Sequence, residues 1–159
     1  MDRLIPESSL LLVIDVQQRL AEAMPEASRA RLVKNAEVLL ETARVLQIRV
    51  VASEQYPKGL GPTIEPIRTR LFALGALPLA KLEFDACGDL DVARAIGSAA
   101  PRSVVVIGME THVCVFQTVR ELMRRRYNTF VVADAVASRT EENRAAGLAL
   151  CERAGAEPL

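Results

Sequence analysis

Two rhythms of apolar residues alternate along the chain. Leu10, Leu11, Leu12, Val13 and Ile14 form an unbroken apolar run closed by Asp15, the pattern of a strand buried on both faces. Residues 30–46 then repeat apolar positions at helical spacing, through Leu32, Val33, Ala36, Leu39, Leu40, Ala43 and Leu46. A second strand is expected at 48–53. Residues 54–66 carry three prolines and two glycines, which predicts an ordered loop. A weaker strand is expected at 77–84, a helix at 90–98, and the strongest strand at 103–107. A helix is predicted over 114–126, and a fifth strand over 128–133 ending at Asp134. Thr140 followed by Glu141 and Glu142 reads as an N-cap with acids in the first turn, opening a helix to about residue 153.

Strands alternating with helices predict an α/β fold: a three-layer α/β/α, Rossmann-like domain with a mostly parallel sheet of five to six strands. With 159 residues, one domain over 1–159 is expected. In such sheets ligands bind outside the carboxyl ends of the strands. That rule selects Asp15, Glu54, Lys81, Gly108 and Asp134, each at or near a predicted strand end.

An acid, a lysine and a cysteine at one rim have a chemical logic. Cys114 follows Val104-Val105-Val106-Ile107-Gly108-Met109-Glu110-Thr111-His112-Val113, so it is expected in the first turn of a helix. The unpaired N–H groups and partial positive charge there favour thiolate over thiol. Asp15 can take the thiol proton and return it to a leaving amine, while Lys81 favours the thiolate and holds the carboxylate. N–H groups of the 110–114 turn can stabilise an oxyanion. Taken singly, each residue has a plainer reading: Asp15 as a turn residue, Lys81 as solvated surface, Cys114 as packing. Packing is the reading for Cys87 and Cys151.

Composition narrows the partners. The formal net charge is zero, which gives no electrostatic reason to expect nucleic acid or an anionic membrane. Arg124, Arg125 and Arg126 fall at a predicted helix end, where cations suit the dipole. The first residues lack a signal-peptide pattern, and no apolar run approaches the roughly 20 residues of a membrane span. Three widely spaced cysteines predict neither a disulfide framework nor a zinc site. A cytoplasmic protein is expected. One histidine cannot supply a two- or three-histidine metal site.

Three segments carry a family resemblance: Leu11-Leu12-Val13-Ile14-Asp15-Val16-Gln17, Lys81-Leu82-Glu83-Phe84-Asp85-Ala86, and Gly108-Met109-Glu110-Thr111-His112-Val113-Cys114-Val115. In that order they resemble the signature segments of the isochorismatase-like cysteine hydrolases. Ser53-Glu54-Gln55-Tyr56-Pro57-Lys58-Gly59-Leu60-Gly61 and Val132-Ala133-Asp134-Ala135-Val136-Ala137-Ser138-Arg139 resemble its isochorismatase-domain-containing branch. The resemblance implies a catalytic triad of Asp15, Lys81 and Cys114, with Cys114 as nucleophile. It further implies a cis peptide between Met109 and Glu110, and an oxyanion hole made by the N–H groups of Glu110 and Cys114. The expected pocket walls are Gln17, Leu20, Tyr56, Phe84 and residues near His112, whose own role stays open between substrate contact and a polar turn or subunit contact.

The departures matter equally. Nicotinamidases of this superfamily carry an acid and two histidines in the loop after the second strand. Here that loop reads Glu54-Gln55-Tyr56-Pro57-Lys58, so neither metal nor cofactor is expected and nicotinamide is a poor substrate. Family members cleaving the isochorismate vinyl ether do not use the cysteine, so that reaction also fits poorly. Relatives continue past the position of Leu159, so the last strand is expected to be short or absent, with its edge covered in a homo-oligomer. The expected activity is hydrolysis of an amide-like bond in a small molecule through a thioacyl-enzyme. The alternative is a catalytically silent scaffold. A nucleotide-binding domain fits least, because Asp15-Val16-Gln17-Gln18 offers no glycine-rich phosphate cradle.

Overall fold

The computed structural model describes residues 4–159. Six strands form one sheet: β1 (Ser9–Ile14), β2 (Arg49–Gln55), β3 (Leu79–Lys81), β4 (Ser103–Met109), β5 (Asn128–Ala137) and β6 (Glu157–Pro158). Their order is β3-β2-β1-β4-β5-β6, and every neighbouring pair is parallel. The chain winds outward from β1 through β2 and β3, then returns to the other side of β1 for β4, β5 and β6. The winding therefore reverses between β1 and β4, which opens a crevice at their carboxyl ends.

The continuous apolar runs follow from burial on both faces. Leu10, Leu12 and Ile14 of β1 pack on one side with Val104 and Val106 of β4. Leu11 and Val13 pack on the other with Ile107 and Met109. The first face is covered by helices α5 (Leu90–Ala99), α6 (Phe116–Arg124) and α7 (Glu141–Arg153), through residues such as Val92, Ile96, Val119, Leu122 and Cys151. The second is covered by α2 (Glu26–Leu46) and α4 (Ile67–Ala73), through Leu32, Ala36, Leu40, Ile67 and Leu71. Two short helices, α1 (Gln18–Glu22) and α3 (Pro57–Leu60), complete the set.

Several elements differ from the sequence expectation. The segment after β2 is no open loop: Glu54 and Gln55 extend the strand, and Pro57 begins α3. The third strand is only three residues long. The fifth runs on to Ala137, because a register shift in the β4–β5 pairing absorbs the polar Asp134 instead of ending the strand there. Asp134 is thus an exposed mid-strand residue, away from the rim, and its carbonyl accepts the Asn35 amide at 2.9 Å. The sixth strand is short, pairing Phe130 with Glu157 and Val131 with Pro158. Thr140 does cap α7, its hydroxyl accepting the Asn143 N–H at 3.2 Å. Among the described residues no helix is long and apolar enough to cross a membrane.

Candidate active site

β1 delivers a carboxylate to the crevice. Asp15 follows the strand in the left-handed region, at φ 51°, a conformation Asp tolerates better than most residues. Its N–H donates to the Ser53 carbonyl at 3.1 Å. Its side chain is completely buried yet fully engaged: Ser53 Oγ donates to Oδ1 at 2.7 Å, and Lys81 Nζ donates to Oδ2 at 2.7 Å. The Lys81 ammonium, also at 0% side-chain exposure, donates further to Gln55 Oε1 at 2.7 Å and to the Glu83 carbonyl at 3.0 Å. A buried ion pair is tolerated only when its remaining donors and acceptors are satisfied in this way. The positions come from sheet register, since β3 pairs Lys81 with Gln55 of β2, and β2 pairs Ser53 with Ile14 of β1.

β4 delivers the thiol. Gly108, the next-to-last residue of β4, has φ +133°, and a Cβ there would run into the Ile14 carbonyl. Only glycine lets β4 and β1 approach so closely beside Asp15. The Met109–Glu110 peptide is cis. Thr111–Val115 then form a π-helical turn before α6 begins at Phe116. The expected α-helical first turn at Cys114 is therefore replaced by a wider one, in which Val113 and Val115 N–H both donate to the Glu110 carbonyl, at 3.0 and 3.2 Å.

The protonation state also departs from expectation. Burial, then the Asp15 carboxylate, push the Cys114 thiol up to about 12, against the lowering effect of Lys81. A hydrogen bond to the Asp15 side chain adds to the upward push. Desolvation and the like charge of Asp15 thus both favour the thiol over the thiolate that a helix N-terminus would favour. Cys87 and Cys151 are raised to about 12 as well, both chiefly by burial. Cys87 also has a carboxylate and a cation near it, Asp85 and Arg125; what separates Cys114 is that its pair, Asp15 and Lys81, is itself completely buried.

The other expected site residues divide. Gln17 is fully buried and its amide is occupied, with Nε2 donating to the carbonyls of Gln55 (3.0 Å) and Gly61 (2.7 Å) and Oε1 accepting the Gln55 N–H (2.7 Å). It fastens the loop to β1, with both polar atoms of its amide engaged. Tyr56 is half exposed and lines a cleft of about 420 Å³ with Pro57, Lys58, Leu82 and Glu83 beside Lys81. Phe84 is 58% exposed nearby. His112 has Nδ1 3.0 Å from Ser138 Oγ. Glu54 holds Thr63, through its N–H (2.6 Å) and hydroxyl (2.8 Å). Among the described residues no three His, Cys, Asp or Glu side chains gather as a metal-binding group. An apolar cavity of about 290 Å³ lies at the opposite end of the sheet, between Leu4, Leu39, Ile48 and Leu159, and holds no acid or base.

Ser53, Gln55, Ser138, Arg139 and Gly147 completed the site without being singled out from sequence for these contacts. Gly147 left a trace, as a lone glycine inside a helical pattern, which marks a close approach or a functional need. The uncharged partners of Asp15 and Lys81 left none.

An Isochorismatase domain family model matches residues 9–159. The chain belongs to the isochorismatase family. Isochorismatase domain-containing protein 2A of Mus musculus is 34% identical over 154 residues, covering 97% of this chain and 71% of the mouse protein. The structure of a MAR1 ribonuclease from Caenorhabditis elegans superposes with a TM-score of 0.88 at 32% identity, over 98% of this chain and 78% of that one. The YcaC gene product of Escherichia coli, described as an octameric hydrolase of unknown specificity, shares the fold with a TM-score of 0.91 at 20% identity, over 99% and 77% of the two chains.

Proposed function

We propose that residues 1–159 form one isochorismatase-family cysteine hydrolase domain that cleaves an amide-like acyl bond in a small molecule, without a metal. The observation that carries this reading is the fully buried Lys81–Asp15 pair at 2.7 Å, whose two charges both act on the buried Cys114 thiol. Asp15 accepts the Cys114 proton as sulfur attacks the carbonyl carbon, and the carbonyl π electrons move onto oxygen. The N–H groups of Glu110 and Cys114 hold that oxyanion. Collapse expels the amine, which takes the proton from Asp15. Water then loses a proton to Asp15 and attacks the thioester, and the departing sulfur recovers that proton. The sum is amide plus water giving acid plus amine. Lys81 holds the carboxylate in place between these transfers.

The metal-free reading rests on a loop without histidine, whose acid, Glu54, is engaged with Thr63. The ribonuclease name of the nematode relative is not carried over, because zero net charge offers no footprint for a polyanion. A scaffold role is not favoured: a buried, desolvated ion pair has little reason to persist where packing alone would serve. A cytoplasmic homo-oligomer is the expected form, in keeping with the octamer described for the fold relative. The test is acylation by p-nitrophenyl acetate followed by peptide mapping. Acetyl should appear on Cys114 and vanish in Cys114→Ala, while Cys87 and Cys151 stay unmodified. Equal modification of all three thiols would sink the assignment.

A further inference from the structure

Two consecutive residues just past the end of β5 hold Glu110, Thr111 and His112, in the turn that carries the nucleophile. Ser138, 2% exposed, accepts the Thr111 N–H at 3.1 Å on Oγ and lies 3.0 Å from His112 Nδ1. Arg139 grips the buried Glu110 carboxylate through its own N–H at 3.1 Å and its guanidinium at 3.0 Å. From the opposite side α7 lies directly against the same turn: a Cβ on Gly147 would sit 2.6 Å from the His112 nitrogen and from the Thr111 carbonyl carbon.

A serine hydroxyl has one proton and two lone pairs. With one lone pair taken by the Thr111 N–H, the hydroxyl still has a proton and a lone pair with which to engage His112 Nδ1, in the direction set by the ring's tautomer. Ser138 thereby ties two successive residues of the turn to a sheet strand. We propose that Ser138 is a positioning residue: its hydroxyl, bridging Thr111 and His112, sets the orientation of the Glu110 and Cys114 N–H groups toward the oxyanion. This rests on the acyl-transfer reading above and gives His112 a task in holding the turn.

Acylation and alkylation of the same sulfur separate this role from a structural one. Transfer of acetyl from p-nitrophenyl acetate passes through an oxyanion, whereas displacement of iodide from iodoacetamide does not. Ser138→Ala should slow acylation of Cys114 by about 10- to 100-fold, the range for misplacing an oxyanion donor, with alkylation held within about threefold. Ser138→Thr, which keeps the hydroxyl, should recover most of the acylation rate, with thermal unfolding of both variants reporting on the fold. Unchanged acylation in Ser138→Ala, an equal fall in both reactions, or no recovery in Ser138→Thr would each overturn the proposal. Failure of the wild type to acylate at Cys114 would instead bring down the hydrolase reading, and this inference with it.

Discussion

The two halves of the site are built by opposite means. On the β1–β2–β3 side, side chains from distant segments saturate one another: Asp15, Ser53, Gln55 and Lys81 form a closed, buried network. On the β4–β5 side the backbone is the working part, shaped by a glycine at Gly108, a π-helical turn and the Ser138–Arg139 grip. The first half fixes charge and the second fixes direction. A carboxylate and ammonium need partners for every lone pair and proton, whereas N–H donors need a turn held still from outside. Damage should accordingly look different on the two sides.

Lys81→Met is the most damaging change expected. It strands a buried carboxylate, and breaking a buried pair by removing one partner costs about 3–5 kcal/mol. Urea unfolding should register that loss, while Lys34→Met on the exposed face of α2 should stay within about 0.5 kcal/mol. A small loss at Lys81 would mean the charged half is not the closed network described.

On the backbone side, Gly147→Ala presses a methyl against the main chain of Thr111 and His112 and should cost about 1–3 kcal/mol. Gly97, also helical, has nothing within 4 Å of a built Cβ. There the same substitution should stabilise by up to about 1 kcal/mol. Opposite signs at two helical glycines, read from thermal melts, would isolate the close approach as the cause. Like signs would remove it.

The halves meet at the Cys114 proton. With the thiol raised to about 12 by burial and Asp15, the thiolate fraction is small at neutral pH and grows about tenfold per pH unit. Iodoacetamide labelling should climb from pH 7 to 10 with no plateau near 9. Asp15→Asn removes a charge that favours the protonated form and leaves Lys81 beside the sulfur. Labelling at pH 8 should therefore rise while acylation turnover falls. A flat wild-type profile would mean a preformed thiolate, and would restore the helix-terminus expectation.

Sequence reading reached the charged half more easily than the backbone half. Asp15 and Lys81 stand out as charges ending apolar runs, and β1, β4 and α2 follow from unbroken or 3.6-residue periodicity. Helices α1 and α3, at five and four residues, are too short to show a period. They are held by contacts such as the Gln18 N–H on the Pro62 carbonyl. The π-helical turn has no apolar signature, so a regular helix was expected at Cys114. Asp134 misled because polarity inside a strand reads as its end, while the register shift that accommodates it is a property of the pairing. Ser53, Gln55 and Ser138 are uncharged residues whose roles appear only once strands lie side by side.

The smallest expected effect falls on the one oddity of the backbone half. Thr111 Oγ1 is the only buried side-chain nitrogen or oxygen among the described residues without a hydrogen-bond partner. Such a group stays desolvated without compensation, so Thr111→Val, which keeps the shape and removes the hydroxyl, should be neutral or stabilise the fold by about 1 kcal/mol or less. Its backbone N–H still reaches Ser138, so acylation should stay within about threefold of wild type if N–H direction is all the turn supplies. A marked loss of acylation with unchanged stability would mean that this hydroxyl meets the substrate, and that the backbone half contributes a side chain after all.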